Sequence, residues 1–147
     1  MAPIGSRHAG HVNRLNRLLS RLVGERAIVS AQNPVRLGEH SEPQPDVALL
    51  RPRPDFYAAE HPGPEDVLLV VEVAETSLED DRAVKVPLYA RFGIPEVWLV
   101  DLAAGHMEVY RHPSPQGSQA VRILGQGERL APQALPAVPL PVAGVLG

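Results

Sequence analysis

One charged residue interrupts an otherwise apolar segment of this chain: Glu72, within residues 67–73. A carboxylate in such a segment is costly to bury unless it has a partner. A second carboxylate, Asp46, opens another predicted strand directly after Pro45, and Lys85 follows on the next predicted helix. Two carboxylates brought to one point form a hard oxygen site that suits Mg²⁺. With a lysine nearby, this combination predicts metal-assisted cleavage of a phosphodiester.

Each of these three residues also has a structural interpretation. Asp46 fits a turn or the edge of a strand, because Pro-Asp is a common dipeptide. Glu72 fits a buried ion pair with Arg82 or with Lys85. Lys85 fits a solvated helix position, since Asp81 lies four residues before it and the two side chains would then pair on one helix face. For Glu72 the functional interpretation is favoured, because a buried acid in a doubly apolar strand needs an explanation.

Composition narrows the classes of function. The chain has 147 residues, the size of one domain with its own hydrophobic core, so we expect a single domain over residues 1–147. It contains no cysteine, which excludes disulfides and thiol chemistry and fits a cytoplasmic location. No segment approaches the roughly 18 apolar residues of a membrane span, and residues 1–8 have no apolar signal-peptide core. The net charge of −3 argues against a constitutive nucleic-acid binder, which usually carries a basic face.

Hydrophobic periodicity predicts the elements that would position these side chains. Apolar residues recur at helical spacing over residues 8–23, so we expect a helix there. Residues 67–73 are apolar on both faces, which is typical of a central strand covered on both sides. Ser77 is a suitable N-cap for a second helix that ends at Gly93, and Pro87 is expected to kink this helix. Further strands are predicted at residues 27–30, 33–37, 46–50, 96–101, 106–111 and 120–124.

The order of these elements indicates the fold class. Helix, strands, helix and strands predict an α/β (α+β) fold, in which a mixed β-sheet is flanked by helices. Residues 130–147 are low in charge and rich in Pro, Leu and Val. We expect this tail to be extended and packed on the domain or on a partner chain.

Several ordered blocks of the sequence resemble one known family. They are Glu42-Pro43-Gln44-Pro45-Asp46-Val47, Leu69-Val70-Val71-Glu72-Val73, Ser77, Asp81-Arg82, Lys85, Tyr89-Ala90 and Gly93-Ile94-Pro95-Glu96-Val97-Trp98-Leu99-Val100-Asp101. In this order they resemble the Uma2 family of bacterial restriction endonucleases, which has a PD-(D/E)xK nuclease-like fold. The resemblance covers nearly the whole chain from His8 to the tail. It implies a restriction-endonuclease-like sheet and an enzyme that cleaves DNA with Mg²⁺ or Mn²⁺.

The family pattern also implies roles for individual residues. It makes Asp46 and Glu72 the metal ligands and Lys85 the helix lysine. Nucleases of this fold usually carry their lysine two residues after the second acid, where this chain has Ala74. The resemblance therefore implies that Lys85 supplies the ammonium from the adjacent helix, where it would polarise the attacking water or stabilise charge on the phosphate.

Three further residues are predicted neighbours of this site: His8, Glu75 and Asp81. His8 falls where the family often has a histidine near the cleft, while Glu75 and Asp81 are close to the site in the sequence. The family commonly has an additional helix and hairpin with an acidic residue before the helix that begins here at His8. We expect this chain to lack that segment, which could expose a sheet edge or remove an active-site carboxylate.

Two functions from different classes follow. The first is a Mg²⁺-dependent endonuclease in which Asp46 and Glu72 bind metal and Lys85 assists, with weak local contact to DNA and a homodimer as the expected assembly. The apolar tail offers a dimer surface. The second is a catalytically inactive nuclease-like domain that serves as a protein-interaction module, which Ala74 and the net negative charge favour. The geometry around Glu72 discriminates between them.

Overall fold

Six β-strands form one mixed sheet in the computed structural model, which describes residues 5–147. The strands lie across the sheet in chain order, and β3 pairs with β4 in parallel while all other neighbours in the sheet pair antiparallel. This arrangement confirms the predicted mixed sheet. The strands are β1 (Ile28–Ala31), β2 (Val47–Leu50), β3 (Val67–Ala74), β4 (Glu96–Asp101), β5 (His106–Ser114) and β6 (Gly117–Leu124).

Helices cover both faces of this sheet. The first, α1, is Ser6–Val23. Residues 78–91 form one continuous helix that comprises α2 (Leu78–Asp80), a π-helical turn (Asp81–Lys85) and α3 (Val86–Arg91). The chain ends with a small two-stranded sheet and a short helix, α4. Their bounds are β7 (Arg129–Leu130), β8 (Leu140–Pro141) and α4 (Val142–Leu146).

The amphipathic pattern of α1 explains its position. Val12, Leu15, Leu19 and Val23 recur every three or four residues and are all buried, so they form one apolar stripe. The stripe packs on the face of the sheet that carries Val71 and Val73 of β3 together with Trp98 and Val100 of β4. Gly24 ends the helix at φ 55°, a left-handed conformation that glycine adopts without a steric penalty.

The opposite face of the sheet packs against α3. Val86 and Tyr89 of α3 are buried in one cluster with Val70 of β3 and Leu99 of β4. Every residue of β3 is therefore buried, which confirms the predicted central strand covered on both sides.

The crossover between β3 and β4 brings the predicted site residues close together. Parallel strands require the connecting chain to return to the end of the sheet from which it left. Residues 78–91 make this return directly above Glu72, whose side chain is on the same face as Val70. Side chains from the first half of the crossover helix can therefore reach the carboxyl end of β3.

The crossover helix is distorted where Pro87 was expected to disturb it. Proline has no N–H to donate and crowds the carbonyl group four residues earlier, which here belongs to Ala83. That residue lies within the π-helical turn Asp81–Lys85, and a π turn widens the backbone locally. The distortion thus takes the form of a π turn that ends at Lys85.

Two predictions of secondary structure are wrong. Residues 33–37 form no strand, because Val35 and Leu37 donate their N–H groups to the carbonyls of Pro43 and Ser41 within an irregular loop. The tail is not extended throughout, since it ends in α4, which packs on α1. Its apolar residues are buried within the same chain and so do not provide the expected dimer surface. These residues are Leu130, Val138, Leu140, Val142, Val145 and Leu146.

Across residues 5–147, the structure contains no helix with the length and apolar character needed to cross a membrane.

Candidate active site

The carboxyl group of Glu72 lies near the end of β3 and is 1% exposed. Its Oε2 accepts a 2.6 Å hydrogen bond from the hydroxyl of Tyr89, and its Oε1 accepts a 3.3 Å hydrogen bond from the backbone N–H of Asp46. The ammonium of Lys85 lies 3.9 Å from Oε1. The alternative partner considered from the sequence, Arg82, binds Glu108 instead. Glu72 therefore forms no ion pair with Arg82.

Asp46 immediately precedes β2 and stands beside Glu72. The register that pairs Val47 with Val71 sets these two acids next to each other across β2 and β3. Asp46 Oδ2 accepts a 2.8 Å hydrogen bond from the N–H of Val73 and lies 3.1 Å from His8 Nε2. Its Oδ1 accepts no hydrogen bond within residues 5–147. One oxygen of Asp46 is thus anchored to the fold, and the other is free to bind a ligand.

Lys85 reaches the same point from the crossover helix. Its Nζ lies 3.1 Å from Asp81 Oδ1 and 3.9 Å from Glu72 Oε1, while the side chain remains 44% exposed. The structure therefore brings together Asp46, Glu72, Lys85 and Asp81, all of which the sequence analysis assigned to the site or its surroundings.

Burial and charge act against each other on Glu72. Burial raises the pKa of Glu72 to about 7, because a carboxylate loses hydration in the interior. The Lys85 ammonium lowers this pKa, the carboxylate of Asp46 raises it, and the Tyr89 hydrogen bond lowers it. Burial lowers the pKa of Lys85, but the carboxylates of Glu72 and Asp81 outweigh this effect and raise it overall. Lys85 is thus charged at neutral pH, where Glu72 is divided between its two protonation states.

An open cavity of about 390 Å³ is lined by His8 and Val73, both of which contact Asp46, but Asp46, Glu72 and Lys85 are not among its lining residues. His8 of α1 lines it, and its Nε2 lies 3.1 Å from the carbonyl oxygen of Val73 as well as from Asp46 Oδ2. Both partners are acceptors, so Nε2–H is the donor. His8 therefore orients Asp46 at the edge of the cavity. The remaining lining residues are Gly5, Val73, Glu75, Thr76 and Ser77.

Glu75 and Ala74 lie near Asp46, Glu72 and Lys85, but their side chains form no hydrogen bond or ion pair with these three residues. Glu75 lines the cavity, but its nearest charged partner is Arg7 at 3.6 Å, in an exposed pair. Ala74 is buried in the apolar cluster beneath α3. The position two residues after the second acid therefore provides no ammonium, and Lys85 approaches Glu72 from the helix above.

A second charge cluster, in which Asp101 and Glu108 are buried and His106 is partly exposed, lies beside the first, and sequence reasoning missed it. Asp101, His106 and Glu108 each offer one ligand atom, all within 4.8 Å of one another. Glu108 accepts a 3.1 Å hydrogen bond from Arg82 Nε, a second one from the same guanidinium, and one from the Tyr110 hydroxyl. These bonds occupy both oxygens of Glu108, so the cluster is organised as an ion pair that attaches the crossover helix to β5.

The amino-acid composition also distinguishes Lys85. Lys85 is the only lysine among the 14 lysine and arginine residues of the chain. Arginine cannot be deprotonated in proteins, whereas an ammonium is a compact charge whose pKa responds to burial. The single lysine of this arginine-rich chain therefore indicates a position that favours an ammonium over a guanidinium.

Comparisons with known proteins agree on the fold. The model of the Uma2 family, described as "Putative restriction endonuclease", matches residues 1–143. A crystal structure of a "putative nuclease belonging to DUF820" from Anabaena variabilis ATCC 29413 is similar to this chain with a TM-score of 0.73 and 14% sequence identity. The match covers 99% of this chain and 83% of that chain. No curated protein matches this sequence.

Proposed function

The chain belongs to the Uma2 family, and from this we propose that it is a divalent-metal-dependent endonuclease that hydrolyses phosphodiester bonds in DNA. The observation that carries the proposal is the convergence of Asp46, Glu72 and Lys85 at one end of the sheet, where Asp46 contacts His8 and Val73 in the lining of an open cavity. Two acids and one ammonium, supplied by three separate elements, fit the chemistry expected of this family.

The donor set fits Mg²⁺ or Mn²⁺. Both ions prefer carboxylate oxygens, and Mg²⁺ usually takes one or two carboxylates and keeps several waters. Asp46 Oδ1 has no hydrogen-bond partner within residues 5–147, and Glu72 Oε1 accepts one weak bond of 3.3 Å. These two oxygens are the ones we assign to the metal, while Asp46 Oδ2 and Glu72 Oε2 stay fixed by hydrogen bonds from the protein.

Each residue then has a defined part in hydrolysis. A divalent cation bound here supplies charge neutralisation for the phosphate and acidifies water. Lys85 carries a positive charge at neutral pH and stands where it can stabilise charge that develops on the phosphate. Tyr89 donates a hydrogen bond to Glu72 and His8 donates one to Asp46. Both carboxylates are therefore oriented before a ligand binds.

The surroundings of the site indicate how DNA would be contacted. Glu75 lines the cavity beside His8, and Glu79 and Asp80 line an adjoining one. These acids repel a phosphate backbone, and a bound cation would offset part of this repulsion. We therefore propose that contact with DNA is weak, local and dependent on the metal, with a shallow dependence on salt because few phosphates are neutralised.

One observation favours the second candidate, a catalytically inactive domain used for protein interaction. Ala74 occupies the position where nucleases of this fold usually carry lysine, and it is packed among apolar side chains. If Lys85 does not replace that lysine, the chain would keep the fold without the activity.

Plasmid nicking tests the proposal. Purified protein is incubated with supercoiled plasmid in the presence of Mg²⁺, Mn²⁺ or EDTA, alongside the Asp46→Ala and Glu72→Gln variants. We expect nicking that requires the metal and is lost in both variants. Metal-dependent nicking that survives in both would place the activity elsewhere. Metal binding without nicking would favour the inactive domain.

The proposal also covers the cellular location and the oligomeric state of the protein. We propose a cytoplasmic protein, supported by the absence of cysteine. A homodimer is expected from the behaviour of this fold class, and size-exclusion chromatography with light scattering at several protein concentrations tests it.

A further inference from the structure

Asp81 is a buried acid for which the proposed chemistry has no direct use. It lies in the π-helical turn and is 2% exposed. Its Oδ2 accepts a 2.9 Å hydrogen bond from the hydroxyl of Ser77. Its Oδ1 is fully buried and accepts no hydrogen bond, and Lys85 Nζ stands 3.1 Å away. Lys85 is thus the cation that compensates this carboxylate.

The ammonium of Lys85 is shared unequally between two buried acids. It lies 3.1 Å from Asp81 Oδ1 and 3.9 Å from Glu72 Oε1. The Lys85 ammonium is therefore closer to Asp81 than to Glu72, although Glu72 belongs to the candidate centre. The geometry is not that of a solvated helix pair, because such pairs are exposed and contribute little.

The π turn contains both members of this pair. It spans Asp81–Lys85, so its first and last residues are the acid and the lysine. A π turn takes more residues per turn than an α-helix and is frequent at functional sites. Residues four apart on a helix are neighbours, and here Asp81 is buried while Lys85 extends to 3.9 Å from Glu72 Oε1.

A divalent cation at Glu72 would alter this balance. It would take up Glu72 Oε1 and repel the ammonium beside it, because like charges a few ångströms apart repel strongly in a partly buried site. Asp81 is the acid that would still attract Lys85 under these conditions. Without Asp81, the half-exposed lysine would turn towards solvent.

We infer that Asp81 is a positioning residue whose buried carboxylate holds the Lys85 ammonium at the candidate centre, both alone and when a divalent cation shares Glu72. The second half of this inference rests on the proposed function, and the first half does not. Within residues 5–147, the side chain of Asp81 contacts Ser77 and Lys85 and makes no hydrogen bond to Asp46 or Glu72.

The chain offers a direct assay because it has one lysine. Acetylation by an N-hydroxysuccinimide ester, followed by peptide mass spectrometry, reports the reactivity of Lys85 with the α-amine as an internal reference. In Asp81→Asn we expect acetylation of Lys85 to be about tenfold faster than in wild type, which corresponds to about 1.4 kcal/mol of lost attraction. Asp80→Asn is the matched control, because Asp80 is the exposed neighbouring acid, and there the rate should not change.

Two further measurements keep the inference open to refutation. Asp81→Glu, which keeps a carboxylate, should restore slow acetylation. In wild type labelled with ¹³C-lysine, the two Hε protons of Lys85 should give separate NMR signals, since a fixed ammonium holds them in different surroundings. A single averaged signal in wild type would overturn the inference even if Asp81→Asn failed to fold. Equal rates in wild type and Asp81→Asn would overturn it as well.

Mg²⁺ tests the second half and separates it from the nuclease proposal. Adding millimolar Mg²⁺ should leave acetylation of wild-type Lys85 unchanged and accelerate it further in Asp81→Asn. Acceleration of the wild type by Mg²⁺ would show that Asp81 does not retain the lysine. If acetylation behaves as expected and no nicking is seen, the positioning role stands and the nuclease proposal fails. If nicking is seen and Asp81→Asn does not change acetylation, the nuclease proposal stands and the positioning role fails.

Discussion

Glu72 and Glu108 lie in one cross-strand row on the same face of the sheet, each directly opposite Leu99. The crossover helix supplies Lys85 to the first and Arg82 to the second. Burial raises the pKa of Glu108, but the hydrogen bonds from Arg82 and Tyr110, together with the charges of Arg82 and His106, outweigh burial and the pKa is lowered overall. The ammonium of Lys85 at 3.9 Å and the hydrogen bond from Tyr89 offset only part of the effect of burial on Glu72, whose pKa rises to about 7. Neighbouring glutamates thus differ in protonation because one faces a guanidinium with two donors and the other an ammonium.

This difference predicts that Glu72→Gln stabilises the protein in a pH-dependent manner. The folded pKa of about 7 exceeds the ordinary value of 4.5 for glutamate, so the charged carboxylate penalises folding above the folded pKa. The penalty disappears at pH values below the unfolded pKa. At about pH 8 the variant should gain on the order of 1 to 3 kcal/mol in free energy of unfolding, with little gain at about pH 4. Urea denaturation across this range measures it.

The environment of Glu72 makes this test specific. It is faced by Lys85 and Asp81 from the crossover helix, by Tyr89 from α3 and by Asp46 from the start of β2. The control Glu79→Gln changes an exposed acid and should show no such pH trend. An unchanged difference between wild type and Glu72→Gln at all pH values would contradict the raised pKa.

Mg²⁺ is expected to raise the melting temperature of the wild type in a pH-dependent manner. A ligand that binds only the folded state at about one hundred times its dissociation constant adds about 2.7 kcal/mol. Protons compete with the metal for Glu72, so the apparent affinity should fall about tenfold per pH unit below the pKa of Glu72. Differential scanning fluorimetry with and without Mg²⁺ at several pH values measures this.

Two sets of variants locate the metal. Asp46→Asn and Glu72→Gln should abolish the shift in melting temperature, whereas Asp101→Asn should preserve it. Loss of the shift in Asp101→Asn alone would assign the metal to the cluster of Asp101, His106 and Glu108.

Lys85→Met separates catalysis from metal binding. The methionine keeps an unbranched stem of similar length and removes the charge, so nicking should fall by about 10² to 10⁴-fold, the range associated with a single positioned group. The Mg²⁺-dependent shift in melting temperature should persist, because the metal ligands are intact. The control Arg91→Met removes an exposed cation from the end of the same helix. Equal nicking by Lys85→Met and wild type would exclude Lys85 from the chemistry.

The central part of the fold could be predicted from the sequence because its signals are local. The apolar run that contains Glu72 indicated a central strand, and the order of elements indicated a mixed sheet, both of which the structure confirms. The helical spacing of Val12, Leu15 and Leu19 indicated α1. These patterns depend on residues that are neighbours in the chain.

The features that escaped prediction depend on distant partners. Nothing near Glu108 in the sequence indicates that Arg82 would cross from the helix to bind it, since the two are 26 residues apart. The loop at residues 33–37 has the composition of a strand, but its N–H groups bond to Pro43 and Ser41. The π turn likewise combines the local effect of Pro87 with the burial of Asp81 against the sheet.

His8→Ala is expected to weaken metal binding without abolishing it. His8 donates to Asp46 Oδ2 from 3.1 Å, so its loss removes one of two hydrogen bonds to this oxygen and leaves the one from the N–H of Val73. Partners that orient a metal ligand typically contribute about 10 to 100-fold to affinity. Isothermal titration with Mn²⁺ measures the change, and His11→Ala, which alters a histidine of the same helix that pairs with Arg14, serves as control. Equal affinities of His8→Ala and wild type would remove His8 from the site.

Leu140→Ala tests whether the tail is part of the folded unit. Leu140 is 0% exposed and lies in the cluster that includes Leu19 of α1 and Val71 of β3. Truncating a buried leucine leaves a cavity and typically costs about 2 to 5 kcal/mol, so this loss in free energy of unfolding is expected at every protein concentration. The control Val121→Ala changes a residue that is 52% exposed and should cost less than about 0.5 kcal/mol. Urea denaturation at two protein concentrations measures both. A cost that grows with concentration would instead indicate that the tail packs on a second chain, because only an intermolecular contact depends on concentration.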